Sequence, residues 1–520
     1  MKFKAAIIAL VLAALLIGCS QVEKGVSEVK ETKEVKELLK VGEMWNIRGV
    51  DPAKRGTLPK EKAMIVECLV EANPDFTLKP GLAESWEQID ATHWRFHLRK
   101  GVKFHDGSVM KAENVKWSIE RALKDPTIKS LTKIKKIKVV DDYTIDFITE
   151  EPYAAFPATL EYSKLAIVSP NSEMDENGVI IRPIGTGPFK FVKWDTATET
   201  LYLEGFDDYW KAKPNLDELV IKAIPDPASR AVAVEKGEVD FTCDVPYGDV
   251  ERLSKEEGLN VEIHSTARVY QLTFGSLEGT PYEDVRVRKA ISYAIDRKAI
   301  AEKALHGCAE PAYGIILPTL WWANKNIAGY EYNPEKAREL LKEAGWVDTD
   351  KDGIVEKDGR EFSVTIYTYP QRPGLKPMAE AIQAYLKDIG IKAEVRVMDW
   401  SAIKKYMGKE DMKLSAYHLT MVPDPDYYLR KTYHSDGSYN SWGYSNPEMD
   451  RLLEEGLKTF DLKERKKIYD EVQKIAIEDV PLIHVAFYKV VVVYKDYVKG
   501  FEFNPVAHDY MLNPEIYIEK

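Results

Sequence analysis

A chain of 520 residues with 73 basic and 84 acidic side chains has a formal net charge of −11, which argues against the phosphates of a nucleic acid as its partner. Its length exceeds one ordinary core, and 45% apolar residues suit globular domains, so two or three domains are expected.

The first stretch is MKFKAAIIALVLAALLIGCS. Lys2 and Lys4 precede an apolar run, Ala5 to Gly18, that is shorter than the about 20 residues needed to cross a bilayer. It reads as the core of a secretory signal over 1–18. Its end, Leu16-Ile17-Gly18-Cys19, resembles a lipobox, at which Cys19 receives lipid and becomes the mature N-terminus. Acyl chains there hold a protein at a membrane, each buried methylene contributing about 0.8 kcal/mol. Residues 19–40 are dense in Glu and Lys and read as a solvated tether. Three cysteines remain, Cys68, Cys243 and Cys308, so at most one internal disulfide can form, and buried free thiols are an equal expectation.

Further along, strand-like and helix-like stretches alternate, which predicts an α/β protein. In NPEKARELLKEAGW, Asn333 can cap, Pro334 suits the first turn and Gly345 suits the stop. Asp348, Asp350, Asp352 and Gly353 then match the start of a calcium loop, but the twelfth position is Gly359, where the bidentate Glu is required. A polar turn is expected, with the three aspartates a weak calcium candidate.

The stretches EFSVTIYTY, PMAEAIQAYLKDIG and KAEVRVMDW read as β-α-β, so the two strands should be parallel. Ligands of open α/β sheets bind beyond the carboxyl ends of the strands. The loop there, PQRPGLK, presents Arg372, and a further strand, MKLSAYHL, carries His418 near its carboxyl end. If that strand joins the sheet, both residues face one crevice.

The stretch LAESWEQIDATHWRFHLRKGVKFHDGSVMKAENV, with PIGTGPFKF, IPDPASRAVAVEKGEVD, DVRVRKAISYAIDRKAI and YNSWGYSNPEMDRLL, resembles the extracytoplasmic substrate-binding proteins for peptides, nickel and related solutes that serve ABC importers. The resemblance runs from about residue 41 to the C-terminus. It implies a two-lobed, periplasmic-binding-protein-like (Venus flytrap) α/β fold with an extra domain in lobe one. The expected parts are lobe one at 41–270 plus 486–520, its extra domain at about 71–182, and lobe two at 271–485. Residues 267–277 and 481–495 are the expected crossings. The implied partners are an ABC permease and its ATPase subunits, a peptide or small-molecule ligand, and a membrane through lipid on Cys19; the protein is expected as an extracytoplasmic monomer.

The resemblance also implies site residues. Arg372 looks like the arginine that holds a peptide's C-terminal carboxylate in dipeptide-binding members, a task suited to a guanidinium fork. The acid that holds the amino terminus in those members falls at Met421, leaving Asp424 as substitute. His418 looks like the histidine that binds the metal of a nickel chelate in the nickel branch, while that branch's arginine for chelator carboxylates falls near Ser163 and Lys164. Trp400, Tyr417 and Trp442 are candidate aromatic walls. Each assignment has a plain structural alternative: a loop arginine, a hydrogen-bonded core histidine, core aromatics. No cofactor is required; a nickel chelate would be bound as ligand. Other solutes, such as an oligosaccharide, come behind. A secreted hydrolase comes last, since H-E-x-x-H, G-x-S-x-G and zinc-spaced cysteines are all missing.

Overall fold

The computed structural model describes residues 37–519; the signal segment 1–18, Cys19 and the tether up to residue 36 lie outside the described residues. The first strand, Leu38–Glu43, takes in the last three residues of the expected tether, because Leu39 and Val41 are apolar on one face and fully buried.

A mixed sheet of eleven strands organises the described residues. From one edge, Phe189–Asp195, Thr200–Gly205, Glu218–Ala223, Leu38–Glu43 and Phe241–Cys243 lie side by side. Two long strands follow, Ile483–Lys495 and Leu259–Phe274; Met412–His418, Ser363–Thr368 and Lys392–Val397 complete the far side. The short strand Ala309–Pro311 pairs with Ile483–Lys495 off this path.

The two long strands, 13 and 16 residues, join the halves. They overlap the two segments expected as crossings, 267–277 and 481–495. Their β-branched run Val490–Val493 is fully buried, as suits a strand covered on both faces. Thr242 stands opposite Val493 on one side, and Arg268 opposite His418 on the other. Between these points the ladder shifts register at Ser265/Val269, so the strands are irregular where the halves meet.

The β-α-β reading holds in the far half. Ser363–Thr368 and Lys392–Val397 are parallel and are linked by the helix Leu375–Asp388, which buries Met378, Ile382 and Leu386. Met412–His418 joins the same sheet parallel to Ser363–Thr368. The helix Pro334–Glu343 is capped by the Asn333 side chain, which accepts from the Lys336 N–H at 2.9 Å. A separate four-stranded antiparallel sheet, Ala83–Asp90, His93–Leu98, Thr144–Thr149 and Ile134–Asp141, packs with the helix Ala112–Ala122. Phe96 is fully buried in it, and the half-buried Trp86 stacks on Phe96 at 5.9 Å and packs against the core. Cys68, Cys243 and Cys308 are buried free thiols. Among the described residues, no helix is long and apolar enough to cross a membrane.

Candidate functional site

Both halves of the sheet line a cavity of about 550 Å³. One wall is the loop that leaves Leu38–Glu43, Met44 to Gly49, with the short helix Pro52–Arg55. The other wall is built from the carboxyl ends of Ser363–Thr368 and Met412–His418, which deliver Tyr369, Gln371, Arg372, Tyr417 and His418. Parallel strands end on the same side, and this brings residues some fifty positions apart to one place. The C-terminal segment adds His508 and Asp509.

Aromatic rings form much of the surface. Trp400 is 44% exposed and stands edge-on to Tyr369 at 5.2 Å. Tyr417 packs edge-on against Tyr439 at 5.3 Å, and Trp45 lies opposite, 5.7 Å from the Arg372 guanidinium. Trp442 and Asp424 are not on the lining. Trp442 is 1% exposed and belongs to the core, because its own backbone carbonyl ties it to Leu277. Asp424 is buried and forms a bidentate pair with Arg465, at 2.8 and 2.9 Å. Its second role, capping the helix Pro425–Tyr433, completes its bonding.

The floor of the cavity is a buried ionic cluster. Arg372 donates to Asp509 at 2.6 Å, to Asp244 at 3.3 Å and to the Tyr488 hydroxyl at 3.1 Å. Arg268 shares the same Asp509 oxygen at 3.2 Å. Burial opposes the charge of Arg372, yet Asp509, Tyr488 and Asp244 raise its pKa well above the ordinary arginine value. Burial likewise opposes the Asp509 carboxylate, but Arg372, His508 and Arg268 hold it well below the usual range. The guanidinium of Arg372 is therefore balanced inside the protein, and only its Nε is left without a partner. That differs from the bare carboxylate clamp expected from the sequence.

His418 is also occupied. Its Nε2–H donates to the Ala507 carbonyl at 3.0 Å, and its Nδ1 accepts from the Thr420 N–H at 3.2 Å. Burial, with Arg268 beside it, pushes its pKa down to about 3, so the ring is neutral. It stacks on His508 at 5.4 Å, and His508 has a buried Nδ1 without a partner. Arg268, Asp244, His508 and Asp509 escaped the sequence reading. Their only sequence signal was the expected crossing at 267–277, which contains Arg268.

Residues 77–440 match the model of the bacterial extracellular solute-binding proteins, family 5. The chain belongs to this family. The dipeptide-binding protein of Escherichia coli is 30% identical over 478 residues, covering 84% of this chain and 86% of that protein. The oligopeptide-binding protein AppA of Bacillus subtilis is 28% identical over 461 residues, 85% and 84% of the two chains. Among solved structures, NikA of Brucella suis in complex with Fe(III)-EDTA superposes with a TM-score of 0.83 at 25% identity, covering 93% of this chain and all of that one. The two-lobed α/β fold expected of this family is the observed one. Family 5 membership makes the chain a solute-binding transport protein, and the cavity between its two sheet halves is the candidate site.

The aspartate-rich loop lies elsewhere. The carboxylates of Asp348, Asp350, Asp352 and Glu356 come within 4.8 Å of one another. Each also accepts a backbone N–H, as Asp348 does from Lys351 at 2.7 Å and Glu356 from Thr349 at 2.9 Å. This is the hydrogen-bonding pattern of a polar turn.

Proposed function

We propose that this family 5 protein is the substrate-binding lipoprotein of an ABC importer, capturing a small carboxylate-bearing solute between its lobes and delivering it to the permease. Lobe one spans 41–270 plus 486–520, with the extra domain at about 71–182, and lobe two spans 271–485. Lipid on Cys19 holds the protein outside the cell membrane. The cavity shared by the two sheet halves carries this reading: a ligand that touches both walls stabilises the closed arrangement by its differential affinity. Its volume of about 550 Å³ suits a compact molecule.

A nickel chelate and a short peptide are the two ligand readings. The chelate is the better supported. A peptide's ammonium group needs a carboxylate; the expected one, Asp424, is consumed by Arg465, Met421 reaches the lining in its place, and of the lining's acids Glu43 and Asp509 are buried while Asp399 is exposed. A chelator supplies most of the metal's ligands, and neutral imidazole suits nickel. His418 binds metal only after surrendering both its hydrogen bonds; the adjacent His508 is freer to do so. The aromatic walls favour the peptide reading. The aspartate-rich loop 348–356 is a polar turn and only a weak calcium candidate, checked by a thermal-shift titration with calcium.

Native mass spectrometry of the purified mature protein, with elemental analysis, decides between the two. A retained nickel complex sinks the peptide reading, and a ladder of short peptides sinks the chelate. A protein that never retains or binds any solute sinks both. Acylation at Cys19 is read from the mass of the N-terminal peptide.

A further inference from the structure

The two proposed lobes also touch away from the cavity, through the extra domain. The hairpin of Val70–Ala72 and Leu78–Pro80 has a polar tip, Asn73 to Thr77. There the Asn73 N–H donates to the Thr77 carbonyl at 2.8 Å, and the Thr77 N–H donates to the Asp75 carboxylate at 3.0 Å. Pro74, Asp75 and Thr77 are exposed, as suits a turn. Phe76 among them is 2% exposed and holds a left-handed backbone, φ +66°, which L side chains rarely adopt. The tip turns this ring onto Trp322 of lobe two, edge-on at 6.5 Å. Trp322 is itself fixed to lobe two: its carbonyl accepts from the Gln473 side chain at 2.8 Å, and Gln473 is a buried residue of the helix Leu462–Asp479.

A second segment of the extra domain makes the same kind of contact. The Ala154 N–H donates to the Leu457 carbonyl at 2.9 Å, in the last turn of the helix Pro447–Lys458, where a helix has no N–H of its own to offer. The Lys458 ammonium lies 3.5 Å from the Glu151 carboxylate, and Trp94 meets the Phe460 ring at 6.3 Å. Tyr153 is buried here; burial first, and then Asp426 and Asp424 of lobe two, push the pKa of its hydroxyl up. None of these residues lines the cavity. The seam is thin. Among the described residues, no helix or strand of the extra domain lies along one of lobe two. Trp94 leaves its buried Nε1 without a hydrogen-bond partner, which a permanent core seldom does. Small contacts of mixed character join domains that move relative to one another.

We propose that the extra domain is a closure latch. As the lobes close, Phe76 seats on Trp322, and Tyr153 and Ala154 seat on the end of the helix Pro447–Lys458. Part of the free energy of closure then comes from contacts that the solute never touches. This rests on the lobes and cavity read above, and adds what sets the balance between their open and closed forms. The apparent affinity for a solute scales with the fraction of molecules in the competent form. The latch therefore strengthens binding of whatever fits the cavity, without choosing among solutes.

The test needs no solute. Glu151→Cys and Lys458→Cys are introduced together into the mature protein; both side chains are partly exposed, whereas Cys68, Cys243 and Cys308 are buried. A short bismaleimide joins the new thiols only while the seam is made, so the rate of joining in solute-free protein reads how often that is. Phe76→Ala in this background should slow the joining about two- to tenfold, the effect of losing one ring contact from the closed form alone. Phe76→Gly removes the ring but suits the left-handed turn, and should slow it as much. Thermal unfolding checks that both variants are folded. If glycine restores the original rate, the effect belongs to the turn and the latch is overturned. A rate that neither variant changes shows a fixed interface and also overturns it. Either failure leaves the cavity reading standing, because the crosslink does not involve the cavity.

Discussion

Asp509 joins the two walls of the cavity through one carboxylate. It sits between Arg372, from the far half of the sheet, and Arg268, on the long strand between the halves. A buried ion pair adds little when complete, but removing one partner strands the others. Asp509→Asn is expected to destabilise the protein by about 3–5 kcal/mol, read as a lowered denaturant midpoint. His418 gives a second residue-scale prediction. Its pKa falls from the ordinary 6.5 to about 3 on folding, chiefly through burial. Between these values the unfolded chain binds the extra proton, so this group's contribution is full above pH 6.5 and is lost as pH falls toward 3. His418→Gln, which keeps a donor for the Ala507 carbonyl, should flatten that acid-side loss in a series of unfolding curves. An unchanged slope would show that His418 is not buried as a neutral ring.

At the scale of elements, periodicity and caps made much of the fold legible. The parallel pair Ser363–Thr368 and Lys392–Val397, with the helix Leu375–Asp388, follows from alternation and 3.6-residue spacing alone. That unit also brings Arg372 and His418 to one edge. The partners of Arg372 were not legible, because Asp244 and Asp509 lie 128 and 137 positions away and the segment around Asp509 has no repeating pattern. Trp442 and Asp424 were misplaced for a related reason: residue type suggested a wall and an ammonium anchor, while long-range contacts with Leu277 and Arg465 put them in the interior. Close packing of elements yields its own prediction. Gly56→Ala forces the helix Pro52–Arg55 away from the turn at 163–165 and should cost about 1–3 kcal/mol of stability.

For the whole molecule, the architecture predicts motion about the two long strands. Among the described residues the two sides of the main sheet connect through this pair, one strand bonding to Phe241–Cys243 and the other to Met412–His418, and their ladder is irregular at Ser265/Val269. Hinges absorb changes in a few backbone angles at such places. A saturating solute should therefore compact the molecule, seen as a reduced radius of gyration in solution scattering; a radius unchanged by a solute that demonstrably binds argues against closure. The central claim is that one solute is gripped by both halves at once. Hydrogen–deuterium exchange on solute-free and solute-loaded protein tests it most directly. The account predicts slower exchange in two places together, residues 44–57 on one half and residues 369–372 with 416–421 on the other. Protection confined to one half, or found only outside the cavity, would contradict it.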